Sequence, residues 1–380
     1  MTLMVLLGLT LMSTAIVSTL YWRLNRLSND ECIEVAVDRE AERFLHNSRI
    51  RGLVIGVYKQ GKCFSQGYGS LSKFNTVTPD EQSVFQLASV SKLLTTTTLQ
   101  ILCDQGLVEM DATLEQILGD TMVLAPSVRS ITLRQLATHT AGFTRVPRPV
   151  MEHLIHLVGK KHLMGNPYQQ LQTEVVWDYL QNPVDKRKPG TFHYSNYGMG
   201  LLGHVLEHIT TTPLETLVRE KLLQPLGMLH TGINLTPSMQ AKLVPGHDGY
   251  GDPTPLWTFG ALAGAGGFSS CVTNMLAFIR ANLDNSAPLT ASLQRTHHAQ
   301  ASGKTGLGWM QATWLDRFVG NRHIIWHDGQ VGGYTSYLSI DPHHHSGVII
   351  LSNTSQSLNA LGLMLMQQIR TQSWQRASHA

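Results

Sequence analysis

The sequence predicts an α+β fold: one antiparallel sheet built by both ends of the chain and flanked by terminal helices, with an α-helical insert between. Two observations carry this. Short β-patterned runs occur before residue 84 and again after about residue 307, whereas from Phe85 to about Ala281 the apolar residues mostly recur at helical spacing between Pro- and Gly-rich loops. Composition agrees, since 380 residues with 42% hydrophobic side chains and 33 glycines suit a compact chain with a sizeable core and many tight turns. Charged residues make up 14%, below the roughly 25% usual in soluble domains, and the net charge is +3. No long basic stripe or charge block is present, so nucleic acid is not an expected partner. We find no internal repeat.

Met1 to Trp22 contains no charged side chain and is just long enough to span a bilayer. It lacks the basic start of a signal peptide and no small-x-small cleavage site follows, so residues 1–28 read as an uncleaved membrane anchor or signal-anchor. Arg23 and Arg26 on its C-terminal side would place the body in the cytoplasm. Residues 29–380 then form one domain, its α/β part covering about 29–84 and 282–380 and its mostly helical part about 85–281.

Within that domain, Asn29 to His46 has the pattern of an amphipathic helix, with Ile33, Val37, Ala41 and Phe44 on one face. Leu53–Tyr58 and Lys62–Tyr68 flank Gln60-Gly61 as a hairpin. Helical segments follow at Ser89–Gln105, Thr132–Ala137, Val175–Leu180, Tyr197–Ile209 and Leu214–Leu223. Strands are expected at Gly308–Trp314, His323–Trp326, Tyr334–Ile340 and Gly347–Leu351, and a closing helix at about Ser357–Thr371.

Three segments carry candidate chemistry. In Ser89-Val-Ser-Lys92, a helix beginning at Ser89 puts the lysine one turn along the same face, where its amine can take the hydroxyl proton. The helix N-terminus favours negative charge at Ser89. The pair alone is equally compatible with a surface lysine after a helix cap. In Lys188-Pro-Gly-Thr-Phe-His-Tyr194-Ser-Asn196, a turn presents Tyr194 and Asn196 just before a helix. A tyrosine with a lowered pKa can share base duty with Lys92, and the asparagine can donate to a substrate carbonyl; a buried tyrosine followed by an asparagine cap has the same pattern. In His327-Asp-Gly329-Gln-Val-Gly-Gly333, placed between two strands, glycine permits close approach of a substrate, and a backbone N–H beyond it can join that of Ser89 as an oxyanion hole.

Taken in order, Ser89-Val-Ser-Lys92, Tyr194-Ser-Asn196 and His327-Asp-Gly329 resemble the three-box signature of the penicillin-recognising serine hydrolases. The similarity is to the branch containing class C β-lactamases, D-alanyl-D-alanine carboxypeptidases, D-aminopeptidases and related esterases. Leu136-Ala-Thr-His-Thr-Ala-Gly-Phe143, Pro225-Leu-Gly-Met228 and the glycine turn at Gly264 also look like this family, and the likeness runs from about Glu40 to Gln368.

The resemblance implies a β-lactamase/DD-peptidase-like fold with the site between sheet and helical insert. It implies catalytic Ser89, Lys92 and Tyr194, an oxyanion hole from the backbone of Ser89 and Gln330, substrate contacts from Asn196, His327 and Gly329, and no cofactor. The implied reaction is hydrolysis of a peptide or ester bond through an acyl-enzyme, with a cell-wall D-amino-acid peptide, such as one derived from peptidoglycan, as substrate, and a periplasmic location. That location conflicts with the two arginines, and the family's side of the membrane is preferred here. A carboxylesterase, or a non-catalytic binding or scaffold protein retaining the fold, are the alternatives.

The family's third box is often Lys-Thr-Gly, which Lys304-Thr-Gly306 spells literally. The segment precedes an earlier strand, however, so the box is assigned to His327. A histidine is mostly neutral at pH 7, so weak or absent β-lactamase activity is expected.

The remaining candidates read as structural. Gly264-Ala-Gly-Gly-Phe-Ser-Ser270 is expected to be a turn with nothing suited to chemistry. His139 is expected to be a hydrogen-bonded structural histidine. His343-His-His345 is expected to be a strand-connecting turn with no evident carboxylate partner, and no metal site is expected. Cys32, Cys63, Cys103 and Cys271 lack metal-type spacing; in an oxidising compartment Cys32 and Cys63 are able to bridge, which their spacing alone does not decide.

Overall fold

The computed structural model describes residues 32–162, 165–300, 303–318 and 320–374. Six strands form its main sheet: β1 (Gly52–Lys59), β2 (Lys62–Gly69), β3 (Met310–Gln311), β4 (Ile325–Val331), β5 (Tyr334–Asp341) and β6 (Ser346–Ser352). Their order is β2-β1-β6-β5-β4-β3 and every pairing is antiparallel. The two ends of the chain meet inside this sheet, where Leu53 pairs with Ser352 and Lys59 with Ser346. Gln60 and Gly61 both have positive φ, 49° and 87°, the backbone that a two-residue hairpin turn needs to match strand twist.

Six longer helices are described: α1 (Ile33–His46), α2 (Ser91–Asp104), α3 (Asn196–Thr210), α4 (Val272–Leu283) and α5 (Asn359–Thr371), with Arg148–His162 lying between α2 and α3 in the chain. The centre of the sheet is buried on both faces: β1, β5 and β6 are buried along their whole length, and β1 and β6 carry apolar runs without alternation, whereas β5 buries Thr335, Ser336 and Ser339. Alternation survives in the packing. Leu53, Ile55 and Val57 join the core under α1 and α5, while Val54 and Tyr58 join the larger core shared with α2, α3 and α4.

α2 runs through that larger core, with Ser91 to Leu102 all buried. Its four consecutive threonines are weak helix formers. Burial overrides propensity because three hydroxyls find carbonyls: Thr95 Oγ1 donates to Gly264 O (2.8 Å), Thr96 Oγ1 to Lys92 O (2.9 Å) and Thr98 Oγ1 to Leu94 O (2.9 Å).

Several expectations change. The membrane-anchored, extracytoplasmic assignment is corrected: among the described residues no helix is long and apolar enough to cross a membrane. The 1–22 segment that suggested an anchor lies outside those residues, and no location is carried forward. The strand expected over Gly308–Trp314 shrinks to Met310–Gln311, and Trp314 opens a short helix, Trp314–Phe318. The reason is local. The Asp316 carboxylate accepts from Thr313 N (2.7 Å) and Asp316 N donates to Thr313 Oγ1 (3.2 Å), a cap that outcompetes β-propensity. His327-Asp-Gly329 lies within β4 and not between strands. Between β5 and β6, the Asp341 carboxylate accepts from the amides of His343 and His344 and meets His344 Nδ1 at 2.7 Å, so the histidine turn does have a carboxylate partner.

Candidate active site

Ser89 does not sit in the first α-helical turn. It lies in a 3₁₀ turn, Ala88–Val90, that feeds α2. Ala88 has φ 47°, a left-handed value that a residue with a Cβ adopts only when its surroundings enforce it. At the start of this turn the Ser89 N–H is one of the donors that a helix leaves unpaired. Lys92, one turn later, is fully buried, and its Nζ lies 3.0 Å from Ser89 Oγ. It also donates to Ala265 O at 2.6 Å. Burial, then the nearby Arg145 charge, pulls Lys92 well below its usual value, against a smaller opposing pull from Asp328. Its amine is thereby disposed to be an uncharged proton acceptor.

The helical wall continues at the start of α3. Ser195, not Asn196, caps this helix: its Oγ accepts from Gly198 N (2.9 Å) and donates to Thr144 O (2.7 Å). That cap presents Tyr194 on one side and Asn196 on the other. The Tyr194 ring centre is 4.9 Å from Lys92 Nζ. Burial raises the Tyr194 pKa, outweighing the lowering from Ser89 and Arg145. The lowered pKa expected for Tyr194 is therefore corrected: the group is a phenol that can donate. Asn196 Nδ2 donates to Tyr168 Oη (3.3 Å), leaving buried Oδ1 with no partner among the described residues. His139 stacks on Tyr194 with ring centres 4.5 Å apart, and its Nδ1 accepts from Ser195 N (3.2 Å), a supporting role.

The opposite wall is β4. A Cβ on Gly329 would fall 2.6 Å from both Ser89 N and Leu87 O, so only glycine lets the strand lie against the 3₁₀ turn. Ser336 Oγ donates to Leu87 O (2.6 Å) and ties the turn to β5. Gly329 faces Ser336, and Val331 faces Tyr334 across a two-residue turn. The alternation of antiparallel bonding then turns the Gln330 N–H away from β5, to the side that the short β3 leaves open. Gln330 follows directly on Gly329, the residue that lies against Ser89 N. His327 is buried; its Nδ1–H donates to Asp328 O (2.6 Å), and its ring centre is 6.0 Å from that of Tyr194. Burial, with Lys92 adding, pulls its pKa down to about 4, so the ring is neutral near pH 7.

Residues 37–369 match the family model described as Beta-lactamase. The chain belongs to this family. Its fold is that of class C β-lactamases: one solved class C β-lactamase superposes with a TM-score of 0.76 at 19% identity, covering 89% of this chain and 96% of that one. A β-lactamase/D-alanine carboxypeptidase from Pseudomonas syringae superposes at 0.73 with 20% identity, covering 89% and 98%. In sequence, the chain is 27% identical over 338 residues to the D-alanyl-D-alanine-carboxypeptidase/endopeptidase AmpH of Escherichia coli K12, covering 84% of this chain and 83% of that protein. It is 25% identical over 359 residues to a β-lactamase of Pseudomonas fluorescens, covering 84% and 93%. The protein is thus a hydrolase of the serine β-lactamase family, of the β-lactamase/DD-carboxypeptidase type.

In this β-lactamase-family site the structure brings together Ser89, Lys92, Tyr194, Asn196, His327, Gly329 and Gln330. Sequence reasoning missed Ala265: the Gly264 segment, thought unsuited to chemistry, provides the carbonyl that holds Lys92. It also missed Arg145 and Tyr168, which no motif marks. The lookalike Lys304 lies with its Nζ 5.8 Å from the Phe192 ring, and Thr305 Oγ1 donates to Thr138 O (3.2 Å). All four cysteines are free thiols. A separate cavity of about 670 Å³ lies behind β4 between α1 and α5, and none of the site residues line it.

Proposed function

We propose that the protein hydrolyses a peptide or ester bond through an acyl-Ser89 intermediate, with a cell-wall D-amino-acid peptide as first-choice substrate. The observation that carries this reading is the 3.0 Å contact between Ser89 Oγ and a fully buried Lys92, whose pKa burial pulls well below its usual value. Lys92 takes the Ser89 proton as Oγ attacks the carbonyl carbon, and the amides of Ser89 and Gln330 hold the oxyanion. Tyr194 gives its proton to the leaving group as the bond breaks and recovers it from Lys92. Asn196 orients the substrate through its open Oδ1, and the neutral His327 packs beside Tyr194. Water then attacks the acyl carbon, losing its proton to the same pair, which hands it to Ser89 Oγ as the acyl bond breaks. The peptide preference draws on AmpH.

A carboxylesterase on the same scaffold is the second reading, favoured by the neutral His327. The test is intact mass after incubation with benzylpenicillin, beside Ser89→Ala. A penicilloyl adduct present only with Ser89 is the expected result. No adduct, with Ser89-dependent cleavage of short acyl esters, moves the assignment to esterase. Neither adduct nor ester cleavage on folded protein removes the hydrolase reading.

A further inference from the structure

With His327 neutral and buried in the sheet wall, the cation beside the reacting groups comes from the helical wall. Arg145 follows the Ala141-Gly-Phe-Thr144 turn, and its carbonyl accepts from both Asn196 N (2.9 Å) and Tyr197 N (3.1 Å). Those bonds anchor it to the start of α3. Its guanidinium carbon lies 5.6 Å from the centre of the Tyr194 ring, the same ring that Lys92 approaches. The side chain is exposed, and among the described residues no carboxylate pairs with it. Asp185, on the neighbouring segment, is already engaged: its carboxylate accepts from Arg148 N (2.7 Å) and from Tyr179 Oη.

The surroundings share this sign. Arg187 and Lys188 are exposed on the loop that leads to Tyr194, and Lys186 Nζ lies 6.0 Å from the ring of Phe143. At 5.6 Å the Tyr194 ring face attracts the Arg145 guanidinium, and its planar fork is suited to receive an anion.

We propose that Arg145 is the substrate-carboxylate contact of this site, and that the protein selects acyl donors bearing a carboxylate within reach of the Tyr194 ring face. The proposal rests on the hydrolase reading for the word substrate, and its test separates the two. That carboxylate can lie on the leaving-group side, as in a free C-terminus, or on the acyl side.

The test uses two matched ligand pairs, N-acetyl-D-alanyl-D-alanine with its C-terminal amide, and a hemisuccinate ester with the butyrate ester of the same alcohol. Binding is measured by calorimetry on Ser89→Ala, which cannot form the acyl-enzyme. The carboxylate member of one pair should bind on the order of tenfold tighter, as a charge-assisted hydrogen bond provides. The advantage should vanish in Ser89→Ala/Arg145→Gln and partly return in Ser89→Ala/Arg145→Lys, with melting temperatures confirming that each variant is folded. The pair that shows it identifies the side. Equal affinities within both pairs, or an advantage that survives Arg145→Gln, overturns the proposal. Turnover by the protein with Ser89 intact is followed in parallel. A carboxylate preference without Ser89-dependent turnover leaves Arg145 assigned and removes the hydrolase reading, and turnover without the preference does the reverse.

Discussion

The two walls of the cleft are built in opposite ways. The helical wall works through side chains held at an energetic disadvantage: a fully buried lysine, a phenol whose ionisation burial opposes, and an asparagine oxygen without a partner. The sheet wall works through backbone: a glycine pressed on Ser89 N, an amide aimed by strand register, and a histidine bonded to the carbonyl of its own neighbour. On the proposed function, reactivity would be stored as unfavourable burial on one side and as position on the other. Substitutions in the two walls should fail differently.

Lys92→Met should give the largest effect. Losing the proposed base should lower kcat at least about 10³-fold. Stability should move the other way. Burial lowers the Lys92 pKa in the folded protein, so below about 10.5 the unfolded chain binds a proton that the folded chain holds poorly. That penalty grows as pH falls below 10.5 and fades as pH rises toward it. An apolar side chain of similar length removes it, and the variant should be more stable at pH 7 by about 1 kcal/mol or more, with the gain shrinking at pH 10. Denaturant melts at both pH values measure this. A variant less stable than the parent at both would mean that the stranded Ala265 carbonyl outweighs the buried amine, and the contrast between walls would fail on its helical side.

Gly329→Ala probes the sheet wall with no ionisable group involved. The added Cβ, 2.6 Å from Ser89 N and Leu87 O, must push β4 or the 3₁₀ turn aside. We expect a loss of about 2 kcal/mol and a fall in kcat of about 10²-fold, since a shift near 1 Å misaligns the oxyanion donors. The shape of the pH–rate profile should not change. A variant with full activity would show that the Gln330 amide has no part in catalysis.

The contrast also explains what the sequence revealed. The helical wall was legible because its chemistry needs particular side chains at fixed helical spacings, as Ser89 with Lys92 and Tyr194 with Asn196. Gly329 was legible for a related reason, being a residue no other can replace. The Ala265 carbonyl was not, because every residue carries one and only the fold brings it to Lys92. Arg145 was equally silent, since a loop arginine looks the same in sequence whether it faces a ring or open water. Fold class was readable from strand patterns at both ends of the chain. Boundaries failed where a local cap competed with β-propensity, as at Thr313 and Asp316, and where sheet burial on both faces erased the alternation that marks strand ends.

The smallest effect tests whether burial alone, without a catalytic role, gives the same electrostatics. His139 and His327 in the site and His297 outside it are all pulled down chiefly by burial, His327 to about 4 and His297 to about 3. Each folded pKa lies below the unfolded value near 6.5, so in the window from 6.5 down toward 4 the unfolded chain binds protons the folded chain refuses. Stability should thus be level above pH 7 and fall on acidification, by up to about 1.4 kcal/mol per pH unit for each histidine. Carboxylates such as Asp111, held below 3.8 by Arg134, contribute stability that is lost only at lower pH. His297 Nε2 meets Asn282 Oδ1 at 2.7 Å, a bond that a glutamine amide can replace. His297→Gln should then remove one proton's share of the acid slope and leave kcat near the parent value. An unchanged slope would mean that His297 does not titrate with unfolding, and that the low pKa values belong to the site and not to burial in general.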